Sequence, residues 1–317
     1  MNITNLIYEN LKDIIVDDKK NILYLLYYST VEAVLLMVSP LTSAFIINSV
    51  LAHATISITV LSIIVVVVFL MIAILQILKE YMIEKFEQKI FLKNAIKTSQ
   101  LALDVHTEKE NRFIHKYMNY FFDVISIQKL FPVLLMTGSS LIIKVIVSLI
   151  LLLIFDINFF ILGLVFIVLF SVTVIYLGKS GPNLAIERSN AKHETIFFIQ
   201  NLLLHKSSKD KALKDLDLLL IDFIQARNSM FKVVAKQLSL SFFIEGLILA
   251  SFFILGGYLV FEGMLPIGEF VAIEIIIISV VYTLRDFMKQ IDYIYDMIEG
   301  FYKIDKLSKT LEAKDNG

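Results

Sequence analysis

The 317 residues contain no cysteine. Disulfides, thiolate metal sites and cysteine nucleophiles are therefore excluded. Charge is scarce as well: 19% of residues are charged and the net charge is −1, so no electrostatic case exists for a nucleic-acid partner. Lys and Arg are missing altogether from 21–78, 145–178 and 237–284. The histidines (His53, His106, His115, His193 and His205) lack metal-ligand spacing. Ser and Thr are frequent in the apolar runs but have no base nearby, which leaves a membrane hydrolase unsupported. The first twenty residues set Lys12, Lys19 and Lys20 against Glu9, Asp13, Asp17 and Asp18, which is not the basic start of a cleaved signal.

What is abundant is apolar surface. Hydrophobic residues make up 57% of the chain, in stretches at about 21–50, 57–78, 130–155, 157–178, 238–261 and 267–287. A helix needs about 20 mostly apolar residues to cross the hydrocarbon core. Inside lipid the backbone must satisfy its own hydrogen bonds, so the reading is an all-α polytopic membrane protein with six transmembrane helices. The cations fall in the N-terminal twenty residues, in 79–129, in 179–237 and after 285, with Lys144 as the exception. Cytoplasmic segments collect Lys and Arg, so these regions and both termini are predicted to be cytoplasmic. The outer connections are then short, at about 51–56, 156–158 and 262–267.

The two inner segments, 79–129 and 179–237, are patterned. Ile114, Tyr117, Phe121 and Val124 recur at helical spacing, as do Leu213, Leu216, Leu220, Phe223, Met230 and Val234. Each segment folded as a helical hairpin would project about 35–40 Å beyond the bilayer. A span, an inner hairpin and another span occur at 57–155 and again at 157–261. Within residues 1–20, Leu6, Ile7, Leu11, Ile14 and Ile15 make 3–16 a small amphipathic segment suited to a helix at the inner membrane surface. Residues 288–317 read as a cytoplasmic helix and linker.

One interruption is informative. "GGYLVFEGMLPIGEF", Gly256 to Phe270, separates the last two runs. Gly256 and Gly257 are predicted to end the fifth span, Gly263 through Gly268 to turn the chain, and the sixth span to begin around Glu269. Glu269 suits the positive N-terminal end of that helix. Pro40 is expected to kink the first span.

"GGYLVFEGMLPIGEFVA" resembles the junction between the fifth and sixth spans of exporter-type ABC transporter transmembrane domains. The resemblance extends over essentially the whole chain: elbow helix, six spans, two long inner extensions and a final cytoplasmic helix. It implies an alternating-access pathway formed with a second transmembrane domain, as a homodimer or heterodimer, in the bacterial plasma membrane. It also implies coupling helices at the hairpin tips, near 103–110 and 206–213, that dock on ATP-binding domains, the second on the partner's. Asp104, Thr107, Glu110, Lys206, Ser208, Lys209, Asp210 and Lys211 are the coupling candidates. Thr107 with Glu110 suits a capping box, and Ser207 or Ser208 can cap the helix of "KDKALKDL".

The chain departs from that pattern in lacking an ATPase domain: no Walker A, signature or Walker B motif is found. The nearest imitation is "GKS" at Gly178–Ser180, where Thr173 stands in place of the required glycine. The expectation is a chain that binds no cofactor and hydrolyses no ATP itself. ATP and Mg would be bound by a partner ATPase, fused or separate. An ATP-independent secondary transporter or channel, and a membrane receptor or assembly factor, are the alternatives.

Ionisable residues at bilayer depth are costly and face protein or water. Thr137, Ser140, Lys144 and Ser148 share one face of the third span, and Ser29, Glu32, Ser39 and Ser43 one face of the first. Glu245 and Glu274 lie in the fifth and sixth. Lys144, Glu274, Glu245, Glu32, Ser140 and Ser148 are thus candidates for a substrate pathway. The structural alternative has Lys144 paired with Glu32, Glu245 or Glu274 and fixing helix register.

Overall fold

The computed structural model describes residues 18–53, 58–106, 137–202 and 208–315. Within them the chain is all-α, with no strand. The helices are α1 (Lys19–Leu36), α2 (Val38–Leu51), α3 (Ile58–His106), α4 (Thr137–Phe155), α5 (Ile157–Gly178), α6 (Gly181–Gln200), α7 (Lys209–Phe261), α8 (Ile267–Lys289) and α9 (Ile291–Asp315). They supply six stretches long and apolar enough to cross a membrane, with α1–α2, α5–α6 and α8–α9 each serving as one broken length. The chain is an integral membrane protein.

Burial separates a central helix from a peripheral one. In α8, 44% of the most apolar window is buried, against 6% in α3. The α8 stripe Ala272, Ile273, Ile276, Ile277, Val280, Val281 and Leu284 follows helical spacing into the core. Phe159, Phe252 and Leu152 complete that core from α5, α7 and α4. Phe159 and Phe252 stack at 5.7 Å between ring centres. By contrast the 58–78 part of α3 is apolar all round and leaves Ile63, Phe69, Leu70, Ile74 and Ile77 exposed, as a helix bathed in lipid tails would.

Local chemistry explains the breaks. Pro40 has no N–H to reach the Leu36 carbonyl, and its ring crowds that turn. The helix accordingly breaks at Met37, where the Met37 N–H donates to the Val34 carbonyl at 3.1 Å. Asp156 is the single residue between α4 and α5, and its carboxylate accepts the Asn158 N–H at 2.7 Å, capping α5.

The glycine-rich turn differs from the prediction. Gly256 and Gly257 do not end the helix, which continues to Phe261. Gly256 instead makes room for a ring: a Cβ there would lie 2.3 Å from Phe270. The reversal is made by Gly263 alone, at φ +70, a conformation costly for residues with a Cβ. Its N–H donates to the Val260 carbonyl at 3.0 Å and that of Met264 to the Leu259 carbonyl at 2.9 Å, the paired bonds of a Schellman cap. Helix α8 then starts at Ile267, with Glu269 in its first turn. The Gly268 N–H donates to Asn48 Oδ1 at 2.9 Å, tying the end of α2 to the start of α8.

These contacts put the Asp156 corner, the Gly263 turn and the end of α2 at one end of the bundle, the turn end. Helices α3 and α7 run far past the opposite, stalk end. With 49 and 53 residues they measure about 73 and 80 Å at ~1.5 Å per residue, against a ~30 Å hydrocarbon core. Helices α6 and α9 pack beside them there.

The elbow helix of 1–17, the tip residues Thr107, Glu110 and Lys206, and the periodic run Ile114 to Val124 lie outside the described residues.

Candidate functional site

Polar side chains gather at three places between the spanning helices. In the first, Lys79 of α3 donates to Glu32 Oε2 of α1 at 2.6 Å and to Ser140 Oγ of α4 at 3.2 Å. Gln76, one turn before Lys79, donates to the other Glu32 oxygen at 2.9 Å. Lys79 is 2% exposed. Unpaired, that ammonium would have a large desolvation cost; here it is matched.

In the second, Lys144 of α4 donates to Thr283 Oγ1 of α8 at 2.9 Å, and the Thr283 hydroxyl donates in turn to the Ser279 carbonyl at 2.8 Å. Glu32 and Asp286 are carboxylates near Lys144, and neither is in hydrogen-bond contact with it. Glu32 is engaged as described, and Asp286 is exposed and holds Lys289 at 3.3 Å. Lys144 lies eleven residues, about 17 Å, from the Phe155 end of α4. Its neighbour Ser140, one turn away, links it to the first group. In the third, Arg285 of α8 forms a two-point ion pair with Glu245 of α7, Nε lying 3.0 Å from Oε2 and Nη2 on Oε1.

Of the residues singled out from the sequence, Glu32, Ser140 and Lys144 are therefore brought together. Lys144 does not pair with Glu32, Glu245 or Glu274; its hydrogen bond among the described residues goes to Thr283. Glu245 faces Arg285. Glu274 stands apart, half-buried toward the turn end of α8. Ser148 is 2% exposed and turns into an apolar cleft with Val145, Leu152, Phe252 and Val280, its hydroxyl without a hydrogen-bond partner among the described residues.

At the stalk end a further cluster joins α6 to α9. Arg188 reaches Asp292 at 3.4 Å, Glu299 at 3.3 Å and Asp296. Lys192 lies 3.5 Å from Glu299, and Lys303 donates to Asn190 at 2.8 Å. Burial pushes the Asp296 carboxyl up from the usual aspartate range, and the Arg188 charge acts against that shift. Beside the cluster a cavity of about 440 Å³ separates these residues from Arg227, Met230 and Phe231 of α7.

The "GKS" stretch has a packing role. Tyr295 of α9 donates to Gln237 Oε1 at 3.0 Å, and Gln237 donates onward to the Val174 carbonyl at 2.9 Å. A Cβ on Gly181 would sit 2.1 Å from the Tyr295 ring, and one on Gly178 2.6 Å from its hydroxyl. These glycines admit the tyrosine; they do not cradle a phosphate.

Of the coupling candidates, Ser208 stands at the N-cap of α7 with no capping bond from its side chain. Lys209, Asp210 and Lys211 form its exposed first turn, and Asp210 suits the positive helix end. Asp104 is in the last turn of α3.

Sequence reasoning missed Lys79, Arg285 and Arg188. Lys79 reads as the first cation of an inner segment, and only its contact with a carboxylate 47 residues away reveals the buried pair.

The fold and these contacts define a class: a six-span helical membrane domain whose helices continue as a stalk. No family model and no curated protein matches the chain. Among solved structures, a bacterial Atm1-family ABC exporter with ATP bound matches at a TM-score of 0.73 and 10% identity, over 92% of this chain and 54% of that one. The chain therefore has the fold of the transmembrane domain of a type I ABC exporter, and it spans about half the length of the exporter chain it matches.

Proposed function

We propose that the chain is the membrane-spanning part of an ATP-driven exporter. Two such domains, identical or not, enclose a substrate pathway that alternates between the two sides of the bacterial plasma membrane. The stalk end lies in the cytoplasm with both termini, because Lys and Arg collect there. The tips near 103–110 and 206–213 dock on ABC ATP-binding domains. ATP and Mg are held by those domains, and this chain, which lacks their motifs, relays the closure that ATP drives.

The observation that carries this reading is the pair of helices of 49 and 53 residues within an exporter fold. Helices that only cross a bilayer need about 20 residues. An excess of about 40 Å or more in each provides levers reaching a soluble partner. A channel or secondary transporter has no use for them. Glu32, Ser140, Lys144 and Glu245, with Lys79 and Arg285, then line or brace the pathway, and their pairings are expected to differ between the two states.

The test is reconstitution of the complex purified from native membranes into proteoliposomes. ATP hydrolysis that tracks this chain through purification, and that is lost when 208–211 are replaced by Gly and Ser, supports the proposal. Purified membrane protein with no associated ATPase refutes it.

A further inference from the structure

Lys79, Arg285 and Lys144 are cations that make side-chain contacts between the spanning helices. Two are neutralised by an acid within the chain. Lys79 has Glu32, both of whose oxygens are occupied. Arg285 has Glu245, again through both oxygens. Lys144 has a neutral hydroxyl, Thr283, at 2.9 Å. Asp286, a nearby carboxylate, is 64% exposed and engaged with Lys289. Among the described residues this group therefore holds two basic side chains, Lys79 and Lys144, against the single carboxylate of Glu32.

Among the described residues Lys144 touches no carboxylate; an ammonium so placed at bilayer depth is costly, and mutual repulsion between Lys144 and Lys79 adds to the cost. Both costs fall if an anion approaches the Lys144–Ser140 face. Lys144 and Ser140 are each half-buried, so an incoming group can reach them without unpacking the core. Lys144 can turn from Thr283 to such a group, because Thr283 keeps its bond to the Ser279 carbonyl.

We propose that the face formed by Lys144 and Ser140 binds the anionic group (a carboxylate, phosphate or sulfonate) of the molecule this domain moves. The inference rests on the exporter reading and adds the substrate class to it. The anion could belong to a soluble organic acid or to a lipid headgroup.

The chain's lack of cysteine allows a direct test. Ser140→Cys, and separately Thr137→Cys one turn away, are introduced into the full chain in inside-out membrane vesicles. Each is then reacted with methanethiosulfonate ethylsulfonate and with its trimethylammonium counterpart, which differ in charge sign. The ratio of the two rates reads the local potential. A preference for the sulfonate is expected, falling about tenfold when Lys144→Met is added and retained in Lys144→Arg. A ratio unmoved by Lys144→Met overturns the anion site and leaves the pathway standing. Failure of both reagents at both positions means no aqueous path reaches this face, and overturns the exporter reading with it. Repeating the measurement in proteoliposomes with and without phosphatidylglycerol separates the sources. Slowing of the sulfonate by that lipid in the Lys144 protein assigns a headgroup, and no slowing assigns a soluble anion.

Discussion

Replacing Lys79 with Met puts the buried pair to a quantitative test. The ammonium is 2.6 Å from Glu32 and its side chain is 3% exposed, while that of Glu32 is 12% exposed. Breaking such a pair from one side leaves the other charge uncompensated, at a cost of about 3–5 kcal/mol. Gln76 still donates to Glu32, which places the expected loss for Lys79→Met near the lower end, about 3 kcal/mol. Glu32→Gln should cost a similar amount, since it strands Lys79. The double variant has no buried charge at the pair and retains a polar partner for Gln76, so its loss should be well below the sum of the singles. The interaction term of the cycle is then about 2–3 kcal/mol. The assay is the denaturation midpoint in mixed micelles of detergent and increasing dodecyl sulfate, followed by near-ultraviolet circular dichroism. Additive losses would show that the two residues are not coupled, and the description of the first polar group would be wrong.

Other consequences concern the glycines and the stalk. Gly268→Ala should lower the midpoint by about 1–3 kcal/mol, because its Cβ would meet the Ala44 carbonyl oxygen at 2.4 Å, a backbone atom unable to give way. Gly257→Ala, with nothing within 4 Å of the new Cβ, should instead stabilise α7 by up to about 1 kcal/mol; the same denaturation assay compares the pair. Gly181→Ala should be destabilising in the parent and much less so in Tyr295→Ala, since the ring is what the methyl strikes. Arg188→Met should loosen α9 from α6. It takes the shared cation from Asp292 and Asp296 and leaves Glu299 with Lys192 only, so amide exchange across 291–300 should accelerate by tenfold or more, whereas Lys289→Met on the exposed Asp286 pair should change it little.

Much of the fold was legible because its causes are local. Apolar runs of bilayer length, the gaps in Lys and Arg, and Asp156 between two such runs each depend on neighbours in sequence. The glycine turn was only half legible. Gly263 fits its role, but Gly256 serves Phe270, which lies across a helix hairpin, so a packing glycine was read as a terminator. The polar groups were the least legible. Glu32, Ser140 and Lys144 were visible as costly residues in apolar surroundings, yet their partners are 47, 61 and 139 residues away. No periodicity encodes which helix faces which. The same holds for "GKS", whose meaning depends on a tyrosine more than a hundred residues later.

The account stands on the stalk reaching an ATPase, and the tip at Asp210 is where that claim is most exposed. A photo-reactive phenylalanine placed at Asp210 in native membranes, irradiated and followed by mass spectrometry of the adduct, identifies what the tip touches. The account predicts a peptide from an ABC ATP-binding domain, with a yield that changes when ATP and Mg are added. Adducts only to lipid, or to a protein without nucleotide-binding motifs, would contradict it.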